Sequence, residues 1–543
     1  MTIKVTVQLT PKFKRSSCPH CLSPTRYHKP SNSPDTSSRD RSFELQSSLM
    51  NTWKCARRGY PTTPMLFISL ACVSVALLSF VGCDPRSDDD LKTEAPAKVL
   101  NVKDFGAKGD GRSDDYDALQ AAASALCHSP NATLLFPEGT YRIGRHRIAG
   151  GPDDNGFQNI RYVGCKGNTI TGVKVTIDVE GDFRRRADKR QQGSSLSYAD
   201  NIVPFEMVQS SGFRIVGFQL VGNVDKMTRD PDVAPGGAAG ILTIKCRDYY
   251  IEDLTVRGFG GDGIRLGEDS QSADQGVHLV NVTSTRNARQ GLTIVNVRGA
   301  NIVSSVFTEN GRTGAYGSHP PAAGVAVEPV RYTSDQDPAG DITFERCRFE
   351  ENLGPQFLSE RPDLVDSITI SDSYVKSTLP DTSATAFMST PKSGLVRGST
   401  FDVAAGRGVA LAGYSPDLYA NIKSLVYNKN NFNLGDNKGL ISPVQPAPVE
   451  LTGNNVRVEK RTQDSTLLRL DYVKLFEKNI IFEANTGYSG VHPTILYEKG
   501  NATVRDNTYL TDRTGPGYFD VYYGHDVVAS GETFQNPTNF KRY

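Results

Sequence analysis

One short pattern recurs through the middle of the chain and constrains the fold more than any other feature. A glycine opens a strand of alternating apolar residues at Gly263 (GIRL), Gly291 (GLTI) and Gly324 (GVAV). A weaker copy begins at Gly240, and the four glycines are 23, 28 and 33 residues apart. Short strands and Gly/Asn turns at this period, with no helical stretch between them, are typical of a solenoid. The sequence therefore predicts an all-β parallel β-helix, in which each rung is stable only when stacked on its neighbours.

Alternation within these strands separates core positions from surface positions. Because side chains on a strand alternate between its two faces, Ile264 and Leu266 are predicted to point into the β-helix and Arg265 to point out. The same register predicts core positions at Leu292, Ile294, Val325 and Val327, and outward positions at Thr293, Ala326 and Glu328. Rungs stack roughly 4.8 Å apart, so the outward positions should form columns on one face.

The distribution of charge excludes one class of function. Residues 1–82 carry 11 Lys and Arg against 3 Asp and Glu, which leaves 50 basic and 57 acidic residues in the rest of the chain. A net charge of −7 for that part argues against a nucleic-acid-binding surface. The single tryptophan, Trp53, also lies in the N-terminal part, so a sugar-stacking platform on the β-helix would need Tyr or Phe.

An apolar run of 18 residues, at positions 65–82, predicts an export signal. Basic residues precede the run and Cys83 follows it, in the order that export signals show. The segment Phe80-Val81-Gly82-Cys83 resembles the lipobox of bacterial lipoproteins, with Phe80 where Leu is usual. The resemblance implies a mature chain that starts at a lipidated Cys83 and is anchored to a membrane in the cell envelope. An ordinary secretory signal is the alternative.

Composition divides the chain into three regions. Residues 1–83 form the export signal region, with Met50 and Met65 as alternative starts. Residues 84–97 are polar and acidic, as a tether is, and residues 98–543 are predicted to form the β-helix domain. Export permits disulfides between the four cysteines that follow Cys83. Two of them lie on strand patterns and are predicted to be buried thiols, Cys246 and Cys347.

The stretch that begins at Asn101 predicts a cap on the first rung. A short strand leads into a turn around Asp110, after which Ser113 or Asp114 is predicted to cap a helix at 114–126. One face of that helix is apolar, with Leu119, Ala122, Ala123 and Leu126. The aspartates of this stretch are predicted to form the turn and the helix cap, with no catalytic role.

This opening resembles that of the pectin-lyase-like superfamily, in its polygalacturonase-like and pectate-lyase-like branch. The resemblance implies a right-handed parallel β-helix, in agreement with the handedness of parallel crossovers, and an N-terminal helical cap that covers an open sheet edge. The catalytic signatures of the superfamily are mostly absent. Gly261-Asp262-Gly263 is similar to the Asn-Thr-Asp of polygalacturonases, and the loop around His319 is faintly similar to the Asp-Pro-His of mannuronan epimerases.

Polar side chains gather on the outward face of the three most regular rungs. Those at the strand starts are Asp262, Arg265, Arg289, Gln290 and His319, and those at the strand ends are Glu268, Asn296 and Glu328. We predict four catalytic residues, Asp262, Arg289, His319 and Glu328, and four substrate-binding residues, Arg265, Gln290, Glu268 and Asn296. The loops 223–237 and 311–323 are predicted to wall a groove beside them.

Register determines which of the carboxylates could cooperate. Asp262 and Glu328 are predicted to lie roughly 15–20 Å apart, farther than two cooperating carboxylates should be. Glu268 and Glu328 are predicted to lie about 10 Å apart, near the spacing of an inverting hydrolase. β-Elimination would instead need a base and cations that hold a uronate carboxylate. The residues suited to those roles are Arg265, Arg289 and His319.

The fold, the export signal and the mixed acidic and basic face together predict a carbohydrate-active enzyme. Its substrate would be a polysaccharide, uronate-containing by preference, and its chemistry that of a lyase or a glycoside hydrolase. A C5-epimerase is one alternative, because it shares the proton-abstraction step. A non-catalytic glycan-binding or adhesin-like envelope protein is another, because fold alone does not decide function. No metal site is predicted, and the need for Ca²⁺ and the oligomeric state stay open.

Overall fold

The computed structural model describes most of the chain from residue 98 onward. The described ranges are 98–144, 159–180, 203–226, 239–268, 272–330, 338–359, 361–379, 385–403, 408–410, 421–435, 440–441, 448–458, 466–471, 474–478, 481–484, 494–499, 502–511, 520–523 and 527–535. The predicted export signal, Cys83 and the tether lie outside these ranges. Within the described ranges, no helix has both the length and the apolar character needed to span a membrane.

Nearly all of the described structure is parallel β-sheet, as the glycine spacing predicts. One sheet has 13 strands among the described residues. These are Arg161–Val163, Phe205–Val208, Ala239–Ile244, Asp262–Leu266, Leu292–Ile294, Val325–Val327, Phe357–Ser359, Thr385–Ser389, Gly408–Ala410, Leu440–Ile441, Thr466–Asp471, Thr494–Lys499 and Asp520–Tyr523. Each pairs in parallel with the strand one rung away, which is the defining arrangement of a parallel β-helix.

The second sheet has 26 strands among the described residues and supplies the rest of each rung. They are Val99–Asn101, Asp110–Asp114, Thr133–Phe136, Gly139–Ile143, Thr169–Val179, Arg214–Val221, Arg247–Arg257, Asp274–Thr285, Val297–Val303, Val306–Thr308, Gly340–Glu345, Arg348–Glu350, Ser367–Ser371, Tyr374–Ser377, Ser393–Arg397, Thr400–Val403, Ser424–Asn428, Asn431–Leu434, Pro448–Thr452, Asn455–Val458, Lys474–Lys478, Ile481–Ala484, Ala502–Arg505, Thr508–Thr511, Val527–Ser530 and Thr533–Gln535. Left-handed residues bend its long strands, as at Asp253 (φ 54°) and Asn281 (φ 53°).

The interior follows the predicted alternation. Ile264 pairs with Leu292, and Leu292 pairs with Val325, so equivalent side chains stack from rung to rung. All six predicted core positions belong to one buried apolar cluster, Ile264, Leu266, Leu292, Ile294, Val325 and Val327. The two predicted thiols, Cys246 and Cys347, are free and buried. The rigid stack of apolar layers places the outward side chains of adjacent rungs in fixed positions.

A single α-helix, Tyr116–Cys127, lies among the described residues and forms the predicted cap. Its buried side chains include the predicted apolar face, Leu119, Ala122, Ala123 and Leu126. The helix starts later than predicted, because Asp115 occupies the cap position and its carboxylate accepts the backbone N–H groups of Lys108 and Gly109 instead. Three short 3₁₀ helices complete the helical structure described, Val102–Phe105, Val224–Lys226 and Gly314–Tyr316.

The cap is tied to the first strand of the 13-stranded sheet. The amide of Gln120 accepts the N–H of Arg161 at 3.0 Å and donates to the Arg161 carbonyl at 3.4 Å. This pair of bonds satisfies backbone groups at a sheet edge that would otherwise be open to pairing with another chain. A disulfide between Cys127 and Cys165 fastens the end of the helix to the same rung.

The recurring glycines are required because asparagine side chains pack beside them. Inside the turns, Asn287 donates to Asn310 at 2.9 Å and Asn310 donates to Asn352 at 2.8 Å. All three asparagines are fully buried. A β-carbon on Gly291 would lie 2.6 Å from the Gly324 carbonyl oxygen and 2.7 Å from Asn310 Nδ2. The glycine column and the asparagine ladder therefore depend on each other.

Removing the middle asparagine should cost substantial stability. Asn310→Ala would remove the side-chain acceptor of the buried Asn287 N–H and one donor to Asn352 Oδ1, which would keep its bond from the backbone N–H of residue 310. Unsatisfied buried polar groups cost about 1–3 kcal/mol each, so we expect the free energy of unfolding to fall by about 2–3 kcal/mol in urea denaturation. Asn301→Ala, at an exposed strand position, is the matched control. Equal stability of the two variants would contradict a structural role for the ladder.

Candidate active site

Three adjacent rungs of the 13-stranded sheet carry the predicted site. Asp262 opens the strand Asp262–Leu266, and Arg289 lies three residues before the strand Leu292–Ile294. Glu328 directly follows the strand Val325–Val327. The parallel register keeps the outward positions of these three rungs in one column, Arg265, Thr293 and Ala326.

Arg289 connects the two ends of the site. Its Nη1 lies 3.0 Å from Asp262 Oδ2, and its Nη2 lies 2.5 Å from Glu328 Oε2. Because one planar guanidinium group bridges both carboxylates, their facing oxygens are at most about 8 Å apart. The predicted separation of roughly 15–20 Å is therefore wrong. That value counted backbone positions and neglected the length of the Arg289 and Glu328 side chains.

The surroundings of Arg289 fix its charge. Burial alone would lower the pKa of Arg289, but the charges of Asp262 and Glu328 outweigh burial and raise that pKa above its usual range. The Asp262 side chain is 3% exposed, whereas that of Glu328 is 33% exposed. Arg289 is therefore a permanent cation that holds one buried carboxylate and one accessible carboxylate.

Gln290 orients Glu328 from the other side. Its Nε2 donates to Glu328 Oε1 at 2.7 Å, and its side-chain oxygen accepts the hydroxyl of Thr293. Gln290 and Thr293 are both buried, so the predicted direct contact of Gln290 with substrate does not fit its position. Sequence analysis predicts an outward position for Thr293 and no role in the site. The signal that could have identified Thr293 is its hydroxyl, three residues after Gln290 and in the outward column with Arg265 and Ala326.

Arg265 and Glu268 form a second ion pair at the end of the first rung. Arg265 donates from Nε to Glu268 Oε2 at 2.5 Å and from Nη2 to Glu268 Oε1 at 2.8 Å. Desolvation by the surrounding protein raises the pKa of Glu268, and the charge of Arg265 opposes that rise. Asp262 also raises this pKa and Arg289 lowers it. Glu268 is therefore electrostatically coupled to both members of the Asp262–Arg289 pair.

Two further predicted site residues are buried, as Asp262 and Gln290 are. His319 is 1% exposed, its backbone N–H donates to the Ala288 carbonyl, and its ring packs edge-to-face against Tyr316. Asn296 is 2% exposed, and its side-chain oxygen accepts the N–H of Val330. Neither side chain is placed to meet a substrate on the outer face. The sequence could not reveal this because His319 lies on an irregular loop whose path is set by tertiary contacts.

The two predicted wall loops approach each other beside the strand starts, as far as they are described. Val224, Ala288 and Tyr316 form a small buried apolar cluster. Val224 belongs to the 3₁₀ helix Val224–Lys226, and Tyr316 ends the 3₁₀ helix Gly314–Tyr316. Residues 227–238 lie outside the described ranges. The cluster gives the site a packed wall next to Arg289.

The described residues offer no group of three or more His, Cys, Asp or Glu that could hold a metal ion. The described site brings carboxylates and guanidinium groups together. Three carboxylates, Asp262, Glu268 and Glu328, share two guanidinium groups, Arg265 and Arg289. Such a set can donate a proton, accept a proton and stabilise developing charge.

Comparison with known proteins finds similar sequences and similar solved structures. An iota-carrageenase of Alteromonas macleodii is 40% identical over 196 residues, which are 35% of this chain and 34% of the carrageenase. An exopolygalacturonase of Zea mays is 23% identical over 325 residues, 50% of this chain and 71% of that enzyme. The solved A-module of the Azotobacter vinelandii mannuronan C-5 epimerase AlgE6 is 16% identical, covers 81% of this chain and 100% of the module, and has a TM-score of 0.39.

These alignments differ in how much of each relative they cover. The chain spans about a third of the carrageenase, and less than that of several other relatives. Residues 99–316, which hold the cap and most of the site, match the family described as rhamnogalacturonase A/epimerase, pectate lyase-like. Through this match over residues 99–316 and its stacked parallel rungs, the chain is similar to members of the pectin-lyase-like superfamily.

Proposed function

We propose that this protein hydrolyses glycosidic bonds of a polysaccharide, with Glu268 as the proton donor. The observation that carries the proposal is the cluster of three carboxylates, in which Glu268 is paired with Arg265 and the other two are bridged by Arg289. Desolvation also raises the pKa of Glu268. Glycoside hydrolysis needs two carboxyl groups in different protonation states, one to protonate the leaving oxygen and one to act from the other side. The raised pKa suits Glu268 to the first role.

Glu328 is the better candidate for the second carboxylate. Both of its oxygens accept hydrogen bonds, from Arg289 and Gln290, so its orientation is fixed before substrate binds. Its side chain is one third exposed, whereas Asp262 is almost completely covered. Asp262 therefore acts through Arg289, whose cation it holds in place. Arg289 in turn can stabilise negative charge that develops near Glu328.

The geometry gives less support to β-elimination. A lyase needs an accessible base for the proton next to a uronate carboxyl group. Arg289 does not fit this role, because its raised pKa keeps it protonated, and His319 is buried. In the described site both guanidinium groups already pair with carboxylates. The same argument applies to a C5-epimerase, which begins with the same proton abstraction.

The names of similar proteins support a polysaccharide substrate. The carrageenase and the exopolygalacturonase are named for polysaccharide cleavage, and each aligns with part of this chain. A non-catalytic glycan-binding protein remains the second candidate. It would keep its binding function when the carboxyl group of Glu268 is removed, whereas a hydrolase would lose turnover.

A panel of polysaccharides, assayed in two ways, tests the reaction type. The purified protein is incubated with neutral, uronate-containing and sulfated polysaccharides, and new reducing ends are measured together with absorbance at 235 nm. Hydrolysis releases reducing ends with no rise in absorbance, whereas elimination produces an unsaturated uronate that absorbs. A rise at 235 nm on any substrate would overturn the proposed reaction type.

We also propose that the mature protein is exported and anchored through Cys83. The disulfide Cys127–Cys165 supports export, because such bonds persist in oxidising compartments. Mass spectrometry of the native protein is expected to find a mature N-terminus at a lipidated Cys83. An intact N-terminus at Met1 would contradict export. A cut near residue 83 without lipid would leave an ordinary secretory signal.

A further inference from the structure

A fully buried carboxylate lies beneath the site and has no role in the proposed reaction. Asp274, the first residue of the strand Asp274–Thr285, has no exposed surface. Its Oδ1 accepts the N–H of Cys246 at 2.8 Å, and its Oδ2 accepts the hydroxyl of Tyr249 at 2.9 Å. Burying a carboxylate is costly unless it is fully hydrogen-bonded. An amide or a hydroxyl could satisfy a turn at lower cost, so an acid at this buried position calls for an explanation.

The carboxylate ends a chain of hydrogen bonds that runs in one direction. Tyr249 donates to Asp274, so the tyrosine oxygen accepts from the hydroxyl of Thr243, 3.1 Å away. The Thr243 oxygen then accepts the N–H of Gly267 at 3.1 Å. Burial, and next the charge of Asp274, raise the pKa of Tyr249 well above its usual value, which keeps this hydroxyl a donor. Burial raises the pKa of Asp274, and the hydrogen bonds that it accepts oppose that rise. A buried acid at its end polarises such a chain along its length.

The other end of the chain is the turn that carries Glu268. Gly267 precedes Glu268 and has φ 73°, and a β-carbon there would lie 2.0 Å from the Asn296 carbonyl oxygen. The Gly267 carbonyl accepts the N–H of Asn296 at 3.1 Å, and the N–H of Glu268 donates to the Thr243 carbonyl at 3.0 Å. Thr243 therefore holds two consecutive backbone N–H groups, one through its hydroxyl and one through its carbonyl. The position of the Glu268 backbone depends directly on where Thr243 is held.

We propose that Asp274, acting through Tyr249 and Thr243, is a positioning residue for Glu268. The inference rests on the proposed role of Glu268 as proton donor. Asp274 is enclosed by the β-helix and does not touch substrate. Its effect is to keep the Gly267–Glu268 turn in the one geometry that leaves the Glu268 carboxyl group partly desolvated beside Arg265. Displacements of about 1 Å in a catalytic group can lower rates by about a hundredfold. Rigid support of the Glu268 backbone should therefore favour catalysis.

Tyr249→Phe is the most direct test, because it removes one hydroxyl and keeps the ring that stacks on Phe213. Tyr427→Phe is the matched control, since Tyr427 is equally buried but lies in the remote strand Ser424–Asn428. For Tyr249→Phe we expect kcat to fall at least about tenfold with KM within about twofold. Asp274→Asn should act in the same direction, and Tyr427→Phe should change neither constant.

A second measurement requires no substrate. In ¹³C-glutamate-labelled protein, the Glu268 carboxyl resonance is assigned from the spectrum of Glu268→Gln and titrated with pH. A loosened turn lets water reach Glu268, so its pKa should fall toward the ordinary value of 4.5 in Tyr249→Phe and stay raised in Tyr427→Phe. An unchanged Glu268 pKa in a folded Tyr249→Phe protein overturns the positioning role, whatever the protein hydrolyses. A shifted pKa in a protein that cleaves no glycan keeps this inference and rejects the proposed function.

Discussion

Glu268→Gln is expected to lower the rate of glycosidic-bond cleavage at least about a hundredfold, because the amide has no proton to give to the leaving oxygen. The substitution keeps the size of the side chain and leaves an oxygen that can still accept from Arg265. The free energy of unfolding should therefore stay close to that of the wild type. Initial rates of reducing-end release on the substrate found in the panel measure the effect. Glu328→Gln is expected to cause a comparable loss.

The matched control is Glu252→Gln, the same chemical change in another glutamate that pairs with an arginine. Glu252 Oε2 lies 2.5 Å from Arg214 Nη2, in the 26-stranded sheet and away from the site. This variant should retain nearly full activity. If Glu268→Gln and Glu328→Gln are as active as Glu252→Gln, the catalytic carboxylates lie elsewhere.

The pH dependence follows from the direction of the Glu268 shift. A proton donor works only while it is protonated, so activity should decline as pH rises through the pKa of Glu268. Because desolvation raises that pKa above its ordinary value of 4.5, the alkaline limb of the kcat/KM profile should lie above pH 4.5. The protonated form is also the one favoured by folding, so the contribution of Glu268 to stability is present below pH 4.5 and is lost at higher pH. Residual activity of Glu268→Gln should lack this limb.

The sequence predicts the fold well because the fold depends on local and repeated features. Alternation places Ile264, Leu292 and Val325 in the core, and parallel stacking then puts them in register. The asparagine ladder through Asn310 is harder to predict from the sequence. The sequence shows asparagines at turns, but rungs of 23 to 33 residues do not reveal which ones stack until the loops between them are folded.

The location of the site stays a prediction, whereas the structure shows which of its side chains meet. Charge on outward positions predicts the rungs, but the reach of Arg289 from a strand start to Glu328 depends on side-chain length and on covering loops. His319 is predicted among the polar groups at the strand starts, yet its loop folds back so that the His319 N–H donates to the Ala288 carbonyl. Register predicts backbone positions, and only packing decides which side chains meet.

Arg289→Ala should destabilise the protein more than a typical outward substitution. Asp262, whose side chain is 3% exposed when Arg289 is present, loses its cation in this variant. Breaking a buried ion pair by removing one partner costs about 3–5 kcal/mol, so we expect a loss of that size in urea unfolding. Activity should also fall at least about a hundredfold, because Glu328 loses a donor that fixes it.

A double-mutant cycle separates the cost of the buried charge from the loss of packing. Asp262→Asn removes the negative charge with little change in volume, so adding it to Arg289→Ala should restore a large part of the lost stability. Activity should not return with it, since neither change replaces the cation beside Glu328. If the double variant loses as much free energy of unfolding as the two single variants lose in sum, Asp262 and Arg289 act independently. In that case the guanidinium bridge is not what holds this site together.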